Sequence, residues 1–237
     1  MIVFADRDEA GHELGKYLIG RLGFLVPDAP GEPEGGKFGR RTERTHGTHR
    51  PLVLALPRGG VPVATHVAAA LDGELDLVVA RKIAAPSRPE YGIGALAEDG
   101  PPVFDGKALQ YLGLSEDDLS GAVERERAEV RRRVERYRHG RDAAPAQGRM
   151  VIVVDDGLAT GVTAKATLRW LHDHQPAYLV MAAPVCSSQA RLSLTGDVDA
   201  MVCLQEPEAF AAVGDWYQDF RQLSDEDVDE ALRRFLG

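Results

Sequence analysis

Short runs in which every residue is apolar alternate along this chain with stretches whose apolar positions recur at helical spacing. The runs are Leu52-Val53-Leu54-Ala55-Leu56, Leu75 to Ala80 (broken only by Asp76), Val151 to Val154, Ala177 to Ala183 and Ala200 to Leu204. A strand that is apolar at every position needs cover on both faces, so these runs predict a parallel sheet between layers of helices. Met1 to Ala5 is a further short, strand-like segment. Between the runs, Ala10, Leu14, Tyr17 and Leu18 predict a first helix behind a capping pattern at Asp6 and Glu9. Val63, Val67, Ala70 and Leu71 predict a second, with Pro62 in its opening turn. Val162 to His174, Ser188 to Leu194 and about Asp225 to Leu236 complete the helical set. The alternation gives an α/β fold: a Rossmann-like parallel sheet of about five strands with helices on both faces. Ala84 to Pro102 reads as irregular, with short extended pieces at Ile93–Leu96 and Val103–Phe104.

Two segments stand outside this alternation. From Pro27 to Arg50 the pattern collapses into Gly, Pro, Thr and charge, which cannot bury enough apolar area to offset its ordering entropy. This predicts a mobile surface loop, and His46 and His49 within it read as solvated residues rather than a metal site. Ser115 to His139 predicts a long, highly charged inserted helix, capped by Ser115 and ended by Gly140. Its stripe of Leu119, Val123, Val130, Val134 and Tyr137 is to be packed on the domain or on a second subunit. Residues 1–237 then form a single domain, with 205–237 as a C-terminal hood and helix.

Composition narrows the function classes. With 237 residues, 44% apolar and a formal net charge of −9, the chain is neither globally disordered nor a general polyanion binder, so any phosphate site must be local. The two cysteines, Cys186 and Cys203, lie in apolar stretches and read as buried thiols of a reducing compartment rather than a redox pair. Charge begins at Asp6-Arg7-Asp8-Glu9, leaving no room for a signal segment, and the uncharged stretch before Arg191 contains Pro176 and Pro184. A soluble cytoplasmic protein with no membrane span is the expectation.

In an open parallel sheet, ligands bind beyond the carboxyl ends of the strands. That rule selects Pro57-Arg58-Gly59-Gly60, Arg81-Lys82, and Asp155 to Thr163. In the last, a strand ends in Asp155-Asp156 and a tight loop, Gly157-Leu158-Ala159-Thr160-Gly161-Val162-Thr163, opens a helix. Unpaired amides from Ala159 to Thr163 form an anion cradle, with Thr160 and Thr163 hydroxyls as further donors. Two carboxylates beside a phosphate cradle make sense if the ligand also carries vicinal hydroxyls or a cation. A sugar phosphate has both features. Gly92-Ile93-Gly94-Ala95-Leu96-Ala97 is not a dinucleotide fingerprint, because Glu98-Asp99-Gly100-Pro101-Pro102 forbids the helix it needs. Val162 stands where a P-loop would require lysine.

The string Val151-Ile152-Val153-Val154-Asp155-Asp156-Gly157-Leu158-Ala159-Thr160-Gly161-Val162-Thr163 resembles the signature of type I phosphoribosyltransferases, which bind phosphoribosyl pyrophosphate (PRPP). Gly157 departs from the aliphatic residue usual there, and Ala159 replaces the aspartate that many purine-salvage relatives use as a base. Leu54 to Val63 and Val213-Gly214-Asp215-Trp216-Tyr217 resemble a group of stand-alone bacterial relatives. The resemblance implies several roles. Arg58, Gly59 and Gly60 would form the pyrophosphate loop, with a non-proline cis peptide at Pro57–Arg58, and Arg81 and Lys82 would neutralise the leaving group. Asp155 and Asp156 would hold ribose hydroxyls or Mg²⁺ through water, and Ala159 to Thr163 the 5′-phosphate. A mobile loop, Ala84–Tyr91 with Arg88 and Glu90, would close over the site. Trp216, Tyr217 and Phe220 are either core or an aromatic face of the hood. The implied activity is Mg²⁺-dependent transfer of ribose 5-phosphate to a nitrogenous, nucleobase-like acceptor in nucleotide metabolism. The alternative is a non-catalytic PRPP- or nucleotide-binding regulator on the same fold. Relatives commonly form homodimers; a nucleic-acid partner is not expected, although Arg125 to Arg141 is a basic-rich helix face.

Overall fold

The computed structural model describes residues 3–25, 50–86 and 88–236. In chain order the elements are α1 (Arg7–Leu25), β1 (Leu52–Ala55), α2 (Gly60–Ala70), β2 (Glu74–Leu77), β3 (Ala80–Ala85), β4 (Arg88–Ala97), β5 (Val103–Phe104), α3 (Gly106–Leu112), α4 (Ser120–Arg138), β6 (Met150–Val154), α5 (Val162–Asp173), β7 (Tyr178–Val185), α6 (Ser188–Leu194), β8 (Ala200–Gln205) and α7 (Asp225–Leu236). A five-stranded sheet of order β2-β1-β6-β7-β8 is parallel throughout, and β3-β4-β5 form a small antiparallel sheet.

The apolar runs work as their pattern requires. Alternate side chains of each central strand enter opposite cores. Val53, Ala55, Ile152, Val154, Val180 and Ala182 join a core with residues of α1, α2, α4 and α7. Leu52, Leu54, Val151, Val153, Leu179 and Met181 face the other way, into a core with α5 and α6. Leu52 pairs with Glu74 on one side and Val151 on the other, so β1 and β6 end level and place their following loops side by side.

Several expectations need correction. Within Met1 to Ala5 the described residues form no strand; Phe4 makes an isolated bridge with Tyr217 in the C-terminal segment. The apolar run from Leu75 to Ala80 is divided, with β2 ending at Leu77 and β3 starting at Ala80 in the other sheet. Arg81 and Lys82 therefore lie inside an antiparallel strand rather than at the tip of a parallel one. The segment read as irregular contains β4, paired with β3 and shifted in register around Ala84. Ser115 caps a short 3₁₀ turn through a reciprocal bond with Asp118, and the long helix starts only at Ser120. Its stripe packs within the domain, with Leu119, Val130 and Tyr137 buried. Helix α3 has no counterpart in the sequence reading; Asp105 caps it by accepting from Lys107 and Ala108 amides. The cysteines are not free thiols: Cys186 and Cys203 are joined as a disulfide between the end of β7 and β8, Cα atoms 6.2 Å apart. Cys186 is buried as its apolar neighbours imply, Cys203 is only half-buried, and the β7–β8 pairing brings them together. The predicted loop from Pro27 to Arg50 lies outside the described residues except for Arg50. Among the described residues no helix is long and apolar enough to cross a membrane.

Candidate functional site

The loop between β6 and α5 is pinned from below and open above. Leu158 donates its amide to the Val185 carbonyl and accepts from the Ser187 amide, each at 2.9 Å, and the Ser187 hydroxyl donates to the Ala159 carbonyl. These bonds use the loop's carbonyls. The amides from Ala159 to Thr163 have no acceptor among the described residues, and Ala159 and Thr160 are exposed. Gly161, the residue before α5, has φ of +72°, a left-handed conformation that suits glycine and turns the amides toward the helix opening. The result is a cup of free N–H groups at a helix N-terminus, the form an anion site takes.

Beside the cup, Asp155 and Asp156 follow β6 and differ in surroundings. Asp155 accepts the Asp156 amide at 2.9 Å and makes no ion pair among the described residues. Burial, reinforced by the adjacent Asp156 charge, pushes its carboxyl well above the usual range. Asp156 is also pushed up by burial, but Arg7 opposes the shift. The Arg7 Nε donates to Asp156 Oδ2 at 2.7 Å, and both side chains are largely buried. Arg7 Nη1 donates to the Arg221 carbonyl at 3.0 Å, and its guanidinium lies 3.9 Å from the Phe220 ring centroid. Tyr217 stacks on Phe220 at 4.9 Å and donates its hydroxyl to the Asp156 carbonyl at 2.6 Å. Burial first, and Asp156 second, hold that phenol protonated. Tyr217 thus supports the acid pair, while Trp216 is buried in the small core of Phe4, Ala10 and Val185.

The Pro57–Gly60 loop lies against the same acids. The Pro57–Arg58 peptide is cis. A Cβ on Gly59 would stand 1.9 Å from Asp156 Oδ2, and one on Gly60 would stand 2.5 Å from the Val154 carbonyl oxygen, so the loop fits only without side chains. Arg58, Gly59, Asp156, Arg7, Phe220 and Gln222 line a cavity of about 320 Å³. Arg58 reaches Asp225 only at 3.8 Å.

The structure therefore gathers Arg58, Gly59, Gly60, Asp155, Asp156, the Ala159–Thr163 cup and Tyr217 at one end of the parallel sheet. The remaining candidates are placed differently. Arg81 donates to Glu126 of α4 at 2.8 Å, the stem of Lys82 lies over Gly92, and Arg88 is exposed at the start of β4. The side chain of Glu90 lies outside the described residues. Arg7 is the residue that sequence reasoning missed. Its neighbours Asp6, Asp8 and Glu9 make it look like part of a solvated helix start, and its partner is 149 positions away.

Residues 39–219 match the phosphoribosyl transferase domain family. This chain belongs to that family. A Mycobacterium tuberculosis protein carrying the name "Putative phosphoribosyl transferase Rv0571c" is 36% identical over 234 residues, covering 99% of this chain and 47% of that protein. The chain thus spans about half the length of the curated relatives it matches. The crystal structure of TT1426 from Thermus thermophilus is similar over the whole of both chains, with 38% identity and a TM-score of 0.74. The five-stranded parallel sheet with a small antiparallel sheet is the phosphoribosyltransferase fold.

Proposed function

We propose that this phosphoribosyltransferase-family chain transfers ribose 5-phosphate from PRPP to a nitrogenous, nucleobase-like acceptor and releases pyrophosphate. The observation that carries the reading is the open cup of unbonded amides at Ala159–Thr163, immediately beside two partly buried carboxylates. The cup suits the 5′-phosphate, and the acids suit ribose hydroxyls, which donate to carboxylates. The bond from C1 of the ribose to a pyrophosphate oxygen breaks as the bond from C1 to the acceptor nitrogen forms. Arg58 and the Gly59 amide face the departing pyrophosphate, while the Gly60 amide is bonded to the Leu56 carbonyl, and the cavity beside Phe220 takes the acceptor ring.

The donor set fits Mg²⁺ carried in by the substrate. Among the described residues no group of three or more His, Cys, Asp or Glu forms an all-protein metal site, and Mg²⁺ commonly binds through one or two carboxylates plus substrate phosphates. Asp155, with no cation partner of its own, is the carboxylate available to it; the ion would neutralise charge on the leaving pyrophosphate.

The test is pyrophosphate release from PRPP and Mg²⁺ across a library of purine, pyrimidine and pyridine bases, with PRPP binding followed by calorimetry. The parent turns over at least one base, and Asp155→Asn/Asp156→Asn loses about 10²–10³ in rate. Saturable PRPP binding without pyrophosphate release from any base supports the regulatory alternative instead. Absence of PRPP binding, or affinity unchanged in the double variant, overturns the assignment of the site.

A further inference from the structure

A second concavity, of about 840 Å³, lies between the C-terminal half of α4, the last turn of α5 and the turn after β4. That volume falls within the range of small-molecule sites. Its floor is fixed: Arg138 is buried, donates to Glu98 at 3.0 Å and to the Leu77 carbonyl at 2.9 Å, and so has no charge to spare. One wall is the Trp170 indole, held by a 2.8 Å bond from its Nε1 to Asp99 and packed against the His174 ring at 4.0 Å between centroids. Val130 and Val134 of α4 continue the apolar lining.

The guanidiniums above this floor set the groove apart from the rest of the helix. Arg132, Arg133 and Arg136, on the side of α4 toward α7, are all ion-paired, to Glu129, Asp225, Glu226 or Asp229. On the groove side, Arg127 donates only to the Gly100 carbonyl and Arg141 only to the Arg138 carbonyl, while Arg131 has no partner among the described residues. Of the acids lining the groove, Glu98 and Asp99 are already engaged, leaving exposed Glu135 as the uncommitted one. A chain with net charge −9 has acids in excess, yet three arginines line this groove with no ion pair among the described residues and only Glu135 as an uncommitted acid beside them.

We propose that this groove binds a nucleoside polyphosphate, at a site separate from the phosphate cup. The base lies along the Trp170 wall and the valines, and the phosphates span Arg127, Arg131 and Arg141. Guanidiniums match phosphate oxygens in pairs, and an indole face with adjacent arginine is a natural seat for a flat ring. The apolar wall argues against a bare anion as the ligand. The cup and the groove occupy opposite ends of α5, so Val162 and Trp170 stand about 12 Å apart along the helix.

The experiment is calorimetric titration with ATP, GTP and UTP, alongside quenching of tryptophan fluorescence. It compares the full chain, a groove variant, Arg131→Glu/Arg141→Glu, and a cup variant, Thr160→Glu. Both groove positions are exposed, so an unchanged melting temperature confirms that the variant is folded. At least one triphosphate binds the parent and the cup variant equally and binds the groove variant tenfold or more weakly, with quenching lost in parallel. Tripolyphosphate and adenosine bind at least tenfold more weakly than that triphosphate. Any of three results overturns the proposal: no binding of any triphosphate at millimolar concentration, binding lost in the cup variant but kept in the groove variant, or tripolyphosphate bound as well as the nucleotides.

Discussion

Replacing Gly157 with alanine drives a methyl group into Val213 of the C-terminal segment and Val185 of β7. A Cβ at this position stands 2.4 Å and 2.9 Å from the two Val213 methyls and 3.1 Å from Val185 Cγ1. Carbon atoms pack best at about 3.5–4.0 Å, so something must move by roughly 1 Å. Val185 is fully buried at the end of β7 and cannot yield. Val213 is half-buried and opens the 3₁₀ turn Val213–Trp216, so that turn is displaced, and Tyr217 with it. Overpacking of this kind costs about 1–3 kcal/mol. Val213→Ala alone removes half-buried methyls and costs about 1 kcal/mol. If the clash is the cause, the double variant is more stable than the sum of the single effects by about 1–2 kcal/mol. Urea denaturation followed by tryptophan fluorescence measures all four corners of this cycle, and PRPP titration reports whether displacing the Tyr217–Asp156 bond weakens the site. A loss under about 0.5 kcal/mol for Gly157→Ala, or strict additivity with Val213→Ala, would refute the packing argument. The same geometry suits glycine at a position where an aliphatic residue is usual: here Val213 and Val185 occupy that side chain's space.

Two further perturbations address the charges. Arg7→Ala leaves Asp156 buried without its cation and should cost about 3–5 kcal/mol in urea denaturation, whereas Arg7→Lys keeps the charge but loses the fork to Arg221 and the Phe220 stack and should fall between alanine and the parent; a loss below about 1 kcal/mol for alanine would show that the pair does not hold the termini. Glu129 is drawn from its ordinary 4.5 down to about 2, first by the Arg132 hydrogen bond and then by Arg133. Because the folded value is the lower one, this stabilisation is complete above the ordinary carboxylate range and disappears as pH falls toward 2. With Arg132 half-exposed, Glu129→Gln should cost about 1 kcal/mol at pH 7, and a difference persisting undiminished in strong acid would contradict the assignment.

The parallel sheet was legible because its strands are apolar at every position, a demand that only two-sided burial makes. The loop of unbonded amides at Ala159–Thr163 was legible because its residues are contiguous. Legibility failed where an apolar run crosses from one sheet to another. Val78 and Val79 are as buried as Leu77, so no periodicity marks the point at which hydrogen bonding leaves β1 for β4. Strand β4 was hidden by Gly92 and Gly94, which lower strand propensity but make room for the Lys82 stem and the Phe104 ring. Arg7 was hidden for another reason: its partners are Asp156, 149 positions away, and the still more distant Phe220 and Arg221, so no local pattern marks it.

That contact divides the labour of the acid pair. The Phe4 amide bonds the Trp216 carbonyl, the Gln218 amide bonds the Phe4 carbonyl and the Asp219 amide bonds the Ala5 carbonyl, so the N-terminal segment is stitched to the C-terminal one across the site. Asp156 is the point where this stitch meets the sheet: Arg7 takes its carboxylate, Tyr217 its carbonyl, and Gly59 lies against its oxygens. A carboxylate so engaged has little capacity left for a ligand. The Asp155 side chain, bonded only to a neighbouring amide, keeps its capacity but is partly buried and without a cation among the described residues. An incoming ligand with a divalent ion or sugar hydroxyls supplies what Asp155 lacks and need not dismantle what Asp156 holds. The two adjacent aspartates therefore sit in different surroundings, Asp156 tied to Arg7 and Tyr217, and Asp155 left as the carboxylate that the proposed function assigns to the substrate.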